Sequence, residues 1–300
     1  MSRLLANTLL LLAALIWGSA FVAQSTAMQD LGPLTFTGLR FLIAAAVVLP
    51  FAFREGRQPA ARPLARGHML QFTLIGVVFF FAISLQQAGL VVTSVTNAGF
   101  LTGIYVVLTP ILGLLVFREH PHPVVWPASL VTLGGIWLLG GGSLSALNYG
   151  DGLMIVCAVF WAIHVGLLGR IASSSGRPLA LSVWQFSVVA VLALVAGLAF
   201  EDVSWQGIQA AGLELFYTSV ISGGLAFTLQ AIGQRWTRAG DAAILLSSEA
   251  LFAALFGAIV LGERLSPLGL VGCALIFLAI LAVQLVPLFG WRRLRLRFGS

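Results

Sequence analysis

Few residues in this chain could do chemistry, and most of those lie deep in apolar surroundings. Glu249 stands mid-run in Leu245-Leu246-Ser247-Ser248-Glu249-Ala250-Leu251-Phe252. As a carboxylate it would attract a substrate ammonium; protonated, it could carry a coupling ion. Arg40, within Thr37-Gly38-Leu39-Arg40-Phe41-Leu42, offers a planar fork that matches a substrate carboxylate. The competing use is a structural clamp on carbonyls. His164 follows Trp161 by three residues, so on a helix the two share a face. It is read as either a proton carrier or substrate donor, or a hydrogen-bonded packing residue. Trp17, Trp161, Tyr105 and Tyr217 suit the walls of a pocket for an amino-acid side chain. Gln86, Gln230, Asn97 and Ser248 could give it hydrogen bonds, with glue between helices as the alternative. Pro110 would free a backbone carbonyl and act as a hinge or structural kink. These ten candidate substrate contacts, with Arg40 and Pro110 as gating or structural residues, do not form an enzyme site. The chain has no Gly-x-Ser-x-Gly, no His-Glu-x-x-His and no P-loop. Cys157 and Cys273 make no metal spacing, so neither a metal nor a cofactor is expected.

The surroundings of these residues fix the class of protein. Of 300 residues, 59% are hydrophobic and 9% charged, against roughly 25% charged in soluble domains. A water-soluble globule of this length could not cover that much apolar surface. Soluble enzymes and disordered chains are excluded. So are nucleic-acid binders, despite a pI near 10.6. The chain reads as an all-α integral membrane protein.

A helix needs roughly 20 apolar residues to cross a bilayer. Ten such runs occur, near 4–23, 34–53, 69–91, 95–117, 123–142, 151–171, 178–199, 212–232, 241–261 and 267–289. Runs such as Leu9-Leu10-Leu11-Leu12-Ala13-Ala14-Leu15-Ile16 are continuous, whereas barrel strands alternate. There is no lysine, and arginine therefore sets the topology. With the N-terminus inside, Arg3, Arg54, Arg57, Arg62, Arg66, Arg118, Arg170, Arg177, Arg235, Arg238, Arg292, Arg293, Arg295 and Arg297 fall on the cytoplasmic side. Only Arg264 falls outside, and Arg40 lies within a span. Both termini are thus expected in the cytoplasm. The basic excess reports topology rather than a nucleic-acid partner.

Shifted by 144, the chain resembles itself. Trp17 falls on Trp161, Gln86 on Gln230, Thr93 on Thr237, Glu119 on Glu263 and Pro123 on Pro267. Residues 1–144 and 145–300 then form two five-helix halves. Because five is odd, the second enters the membrane from the opposite side. Such inverted repeats suit alternating access around a site near the bilayer midplane.

The repeat also carries a likeness. Trp17-Gly18-Ser19-Ala20-Phe21, Pro33 and Arg40-Phe41 resemble the opening signature of the EamA family of the drug/metabolite transporter superfamily. Ser248-Glu249 through Gly262-Glu263-Arg264-Leu265 resembles that family's ninth span and exit loop, although Ala250 stands where the family commonly has proline. The likeness covers essentially the whole chain, which is further similar to the YddG-like amino-acid exporters. It implies ten helices, cytoplasmic termini and export of amino acids or related small metabolites across the bacterial inner membrane.

Other classes are less well served. Cationic drugs or other metabolites of the same superfamily are the nearest alternative. A nucleotide sugar should want several cavity arginines, and only Arg40 is available. An intramembrane enzyme lacks a motif, and a channel would need a ring of charges. The expected partners are a small, amino-acid-like substrate and the bilayer, with proton coupling left open. Glycines 134, 135, 140, 141, 142, 269 and 272 serve packing within a monomer as well as dimerisation, which leaves the oligomeric state open.

Overall fold

A computed structural model describes the chain apart from residues 60, 94–97, 99–100, 117, 140, 142–147, 261–265 and 299–300. Asn97 and the exit-loop residues Gly262 to Leu265 therefore lie outside the described residues. All regular structure among the described residues is helical. Eight of the described helical stretches are long and apolar enough to cross a membrane, one of them Ala239–Phe256 taken across an internal break, and the shorter apolar helices Leu101–Leu115 and Val125–Leu139 fall on the fourth and fifth apolar runs.

The first three helices are α1 (Arg3–Ala27), α2 (Pro33–Gly56) and α3 (Arg66–Leu90). Then come α4 (Tyr105–Leu115), α5 (Val125–Leu139), α6 (Tyr149–Ser175) and α7 (Pro178–Phe200). After a short turn of helix at Trp205–Ala210 follows α8 (Gly212–Gln234), wound as a π-helix over Tyr217–Ala226. The ninth run is divided into α9 (Ala239–Leu246) and α10 (Glu249–Val260), and α11 (Pro267–Phe298) ends the chain.

Local chemistry sets the ends. Asn148 and Asp151 cap α6 reciprocally: Asp151 N–H donates to Asn148 Oδ1 at 3.0 Å and Asn148 N–H to Asp151 Oδ2 at 2.9 Å. The helix stops at Gly176, whose φ of 66° is the left-handed conformation that glycine adopts freely. Pro33 and Pro178 open α2 and α7, where a missing N–H costs nothing. The break between α9 and α10 occurs without a proline. Ser247 and Ser248 instead turn their hydroxyls back onto the carbonyls of Ile244 and Leu245, at 2.7 and 2.6 Å. This local bonding competes with the helical ladder.

The solvent logic is inverted. Large apolar side chains face outward, with Leu198 74% and Phe200 83% exposed, while Arg40, His164, Gln185 and Gln230 are buried. Such a surface is stable only in lipid.

Helix packing is reciprocal under exchange of the halves. The α3–α6 and α3–α7 contacts are matched by α8–α1 and α8–α2, and α4–α6 by the contact of α9 and α10 with α1. Two further pairs, α2–α7 and α5–α11, join one half to the other. Glycines allow the close approaches. A Cβ on Gly135 would lie 2.8 Å from the Gly272 carbonyl oxygen, and one on Gly18 2.7 Å from that of Glu249. Small residues at such contacts let backbones meet directly.

Helices α2 and α7 run antiparallel, tied at both ends. Glu201, just past the end of α7, accepts from the N–H groups of Leu34 and Thr35 in the first turn of α2, both at 2.8 Å. Glu55, at the end of α2, accepts from Leu179 N–H at 3.0 Å and Ala180 N–H at 3.1 Å in the first turn of α7. Arg177 Nε also donates to Glu55, at 3.1 Å. Each carboxylate meets free N–H groups at the positive end of a helix dipole.

Candidate functional site

A small interior cavity of about 40 Å³ lies where α1, α2, α3, α4, α6, α8, α9 and α10 meet. With roughly 10–15 Å³ needed per water, it holds about three waters and no drug-sized ligand. Fourteen residues line it: Trp17, Phe21, Gln24, Arg40, Ile83, Gln86, Thr102, Tyr105, Trp161, Val165, Phe227, Gln230, Leu246 and Glu249. Twelve of these fall into six pairs at the offset of 144. They are Trp17 with Trp161, Phe21 with Val165, Ile83 with Phe227, Gln86 with Gln230, Thr102 with Leu246, and Tyr105 with Glu249. Only Gln24 and Arg40 have no counterpart in the wall.

Seven expected site residues thus come together: Glu249, Trp161, Trp17, Gln86, Gln230, Tyr105 and Arg40. Glu249 opens α10 directly after the serine break, and its carboxylate has no hydrogen bond or ion pair among the described residues. Its twin Tyr105 is likewise the first residue of its helix, α4, but follows Ile104 rather than a serine. Trp161 Nε1 donates to Gln86 Oε1 at 2.9 Å. Trp17 Nε1 donates instead to the Ser222 carbonyl at 3.2 Å, and both amide atoms of Gln230 stay buried without a partner among the described residues.

Arg40 is clamped. Its Nε donates to the Thr218 carbonyl at 3.1 Å, Nη1 to Gln24 Oε1 at 2.9 Å and Nη2 to Ser222 Oγ at 2.9 Å. Two of these partners belong to the π-wound stretch of α8, so the guanidinium pins an irregular segment from across the half boundary. Three of its five donors are used, and it makes no ion pair among the described residues.

Other candidates sit elsewhere. His164 lies behind the wall, its Nε2 3.0 Å from Gln185 Oε1 and its ring 4.7 Å from that of Phe79. Ser248 spends its hydroxyl on the Leu245 carbonyl. Tyr217 bonds hydroxyl to hydroxyl with Ser19. Neither residue reaches the cavity. Pro110 lines a second space. The residues that the sequence reading missed, Phe21, Gln24, Ile83, Thr102, Val165, Phe227 and Leu246, are mostly apolar. The repeat offset would have found several of them once one member of each pair was known.

That second space is a vestibule of about 780 Å³, bounded by Thr109, Pro110, Gly113, Gly166, Gln234 and Gly240, with Arg170, Arg235 and Arg238 toward the arginine-rich face. Tyr105, Val165 and Gln230 of the inner cavity each stand four residues before Thr109, Gly169 and Gln234 of the vestibule. One helical turn, about 5 Å, therefore separates the two spaces on the same helix faces.

Known proteins agree with this picture. A transporter from Archaeoglobus fulgidus is 33% identical over 287 residues, covering 94% of this chain and 87% of its own. A probable amino-acid metabolite efflux pump from Escherichia coli (strain K12) is 25% identical over 306 residues, covering 96% of each. A solved crystal structure has a TM-score of 0.79 over 95% of this chain and 98% of its own, at 19% identity. The profile of the EamA-like transporter family matches twice, over residues 4–141 and 148–285, and the chain belongs to that family of membrane transporters.

Proposed function

We propose that the chain is a secondary transporter that exports amino acids or related small metabolites across the cytoplasmic membrane. It works by alternating access between two inverted halves, 1–144 and 145–300, of five spans each. Four facts support the inverted arrangement: the antiparallel α2–α7 pair, the reciprocal helix contacts, the six wall pairs and the twofold family match. The observation that carries the function is the Glu249 carboxylate, unpartnered among the described residues, in a small aromatic cavity beneath a wide vestibule. In this reading the arginines place the vestibule on the cytoplasmic side, and the state is inward-facing with its binding site contracted.

The chemistry follows from the wall. Glu249 meets a substrate ammonium, and Trp17, Trp161, Tyr105 and Phe227 give it π-faces and an apolar lining. Arg40 holds the π-wound stretch of α8 against α2, and its positive charge favours a substrate carboxylate. The cavity must widen by parting the halves to admit even a small amino acid. The efflux-pump relative supports the amino-acid class. A second reading, export of other cationic compounds, is favoured by the absence of a cationic partner for Glu249 among the described residues.

Counterflow in proteoliposomes tests both. Vesicles preloaded with one unlabelled amino acid at a time are given a trace of the labelled compound, with and without a pH gradient, for wild type and Glu249→Gln. Saturable exchange of some amino acids, lost or weakened in the variant, is expected. Exchange that survives in the variant but no longer answers to the pH gradient makes Glu249 the proton-coupling group. No exchange of any amino acid by intact, loaded vesicles refutes the amino-acid class, and exchange of a quaternary or aromatic amine would then replace it.

A further inference from the structure

The two halves are alike in sequence around the cavity but not in their bonds, and the difference describes the state that is absent. Trp161 donates across the half boundary to Gln86. Its twin Trp17 also crosses the boundary, but to the backbone carbonyl of Ser222 rather than to Gln230. Gln230, 1% exposed, is left beside the cavity with its amide oxygen and nitrogen both unpartnered among the described residues. A buried amide in that condition is costly unless water or a ligand satisfies it.

If the halves exchange conformations, each bond must move to its twin. We propose that Gln86 and Gln230 alternate: the amide that holds the opposing tryptophan in one state is the amide that faces substrate in the other. In the present state Trp161 holds Gln86, and Gln230 is the substrate-facing amide. In the opposite state Trp17 swings to Gln230, while Trp161 moves to the carbonyl of Val78, the residue 144 before Ser222. A helical carbonyl retains a second lone pair for such a bond. Gln86 then takes over the substrate. The two glutamines are thus positioning residues with opposite duties, one for each side of the membrane. This rests on the alternating-access reading above.

The test reads state occupancy and needs no substrate. In a Cys157→Ala/Cys273→Ala background, Gly113→Cys places one thiol in the vestibule, where an added Cβ has nothing within 4 Å. An impermeant maleimide reaches it from the cytoplasmic face of inside-out vesicles. Gln86→Met removes a bond of the present state and should slow labelling by up to about threefold. Gln230→Met removes a bond of the opposite state and should speed it by up to about threefold, each from one interhelical bond of average strength. The equilibrium constants of the two variants then differ about eightfold, and the ratio of the two rates lies above one and at most near that factor. Gln→Leu at both sites must give the same order if a methionine variant misfolds. A ratio of one or less overturns the proposal. If an amino-acid mixture changes wild-type labelling while the ratio stays at one, the exchange of glutamines falls and alternating access stands. If neither has any effect, both fall. If only the variants act, the exchange holds and the substrate class is wrong.

Discussion

The carboxylate at the end of α7 should be coupled to the glycine it covers. Glu201 accepts two N–H bonds at 2.8 Å from α2, and a Cβ on Gly32 would overlap its carboxyl group. Glu201→Ala removes a charged cap from two N–H groups at the start of a long helix. Losing an N-cap costs about 0.5–2 kcal/mol, and bonds to a charged acceptor lie at the upper end, so about 2 kcal/mol is expected. Gly32→Ala forces the carboxylate off the helix end, so it loses the same bonds and adds a steric term of about 1–3 kcal/mol. In the double variant the carboxyl group is gone, and with it the three atoms nearest to the methyl added at position 32. The combined cost should then stay near that of Glu201→Ala alone, a coupling of about 3–5 kcal/mol between adjacent sites, the whole cost of Gly32→Ala. At roughly 2 °C of apparent melting temperature per kcal/mol for a chain this large, the single variants fall by at least about 4 °C. Melting the four proteins in one detergent, followed by near-ultraviolet circular dichroism, reads the cycle. Shifts that simply add would refute the reasoning, because the glycine would then not be making room for the cap.

Three further outcomes follow. Arg40→Lys cannot reach Thr218, Gln24 and Ser222 from one nitrogen, so at least one acceptor loses its bond. A stability loss of about 2 kcal/mol and faster hydrogen exchange over residues 217–226 are expected by mass spectrometry. Gly272→Ala drives a methyl into the Gly135 carbonyl and should cost about 1–3 kcal/mol in a detergent melt, with Gly134→Ala neutral because nothing lies within 4 Å of its added Cβ. Trp161→Phe keeps a ring beside Phe79 and Phe227 but drops the bond to Gln86. Binding measured by tryptophan-quenching titration should weaken by about threefold rather than vanish, as one interhelical bond predicts.

Much of the molecule was legible because two kinds of pattern survive in the sequence. Apolar runs of bilayer length mark helices whatever their partners: eight of the runs meet described helical stretches long enough to cross a membrane, and the fourth and fifth meet shorter apolar helices. The offset of 144 carries the site, since the residues it pairs, such as Trp17 with Trp161, meet in one cavity. What stayed hidden depends on neighbours distant in the chain. His164 has the look of a site residue, but whether it faces the cavity or Gln185 is decided by the rotation of α6 against α7, which three-residue spacing does not encode. Nothing in the sequence around Glu55 or Glu201 marks them as helix caps, since their duty arises only when the antiparallel partner brings its first turn alongside. The break at Ser247-Ser248 has no proline to announce it, and the π-wound stretch of α8 is held by Arg40 and Trp17 from elsewhere in the chain.

The paired caps on α2 and α7 also bear on ancestry. A contact in which each side offers the same group to the same place on the other is isologous, the form found in twofold homodimers. Glu55 and Glu201 make a contact of that form within a single polypeptide, but not from equivalent positions: the offset of 144 sets Glu55 on Ala199 and Glu201 on Arg57, and Arg177 is added at one end only. The same capping chemistry therefore stands at inequivalent positions, as two ends of one helix pair would acquire it separately rather than by copying a single residue. In the cavity wall, likewise, Arg40 and Gln24 have no counterpart and Tyr105 stands where the offset would repeat Glu249, so the two sides of one paired framework carry different chemistry.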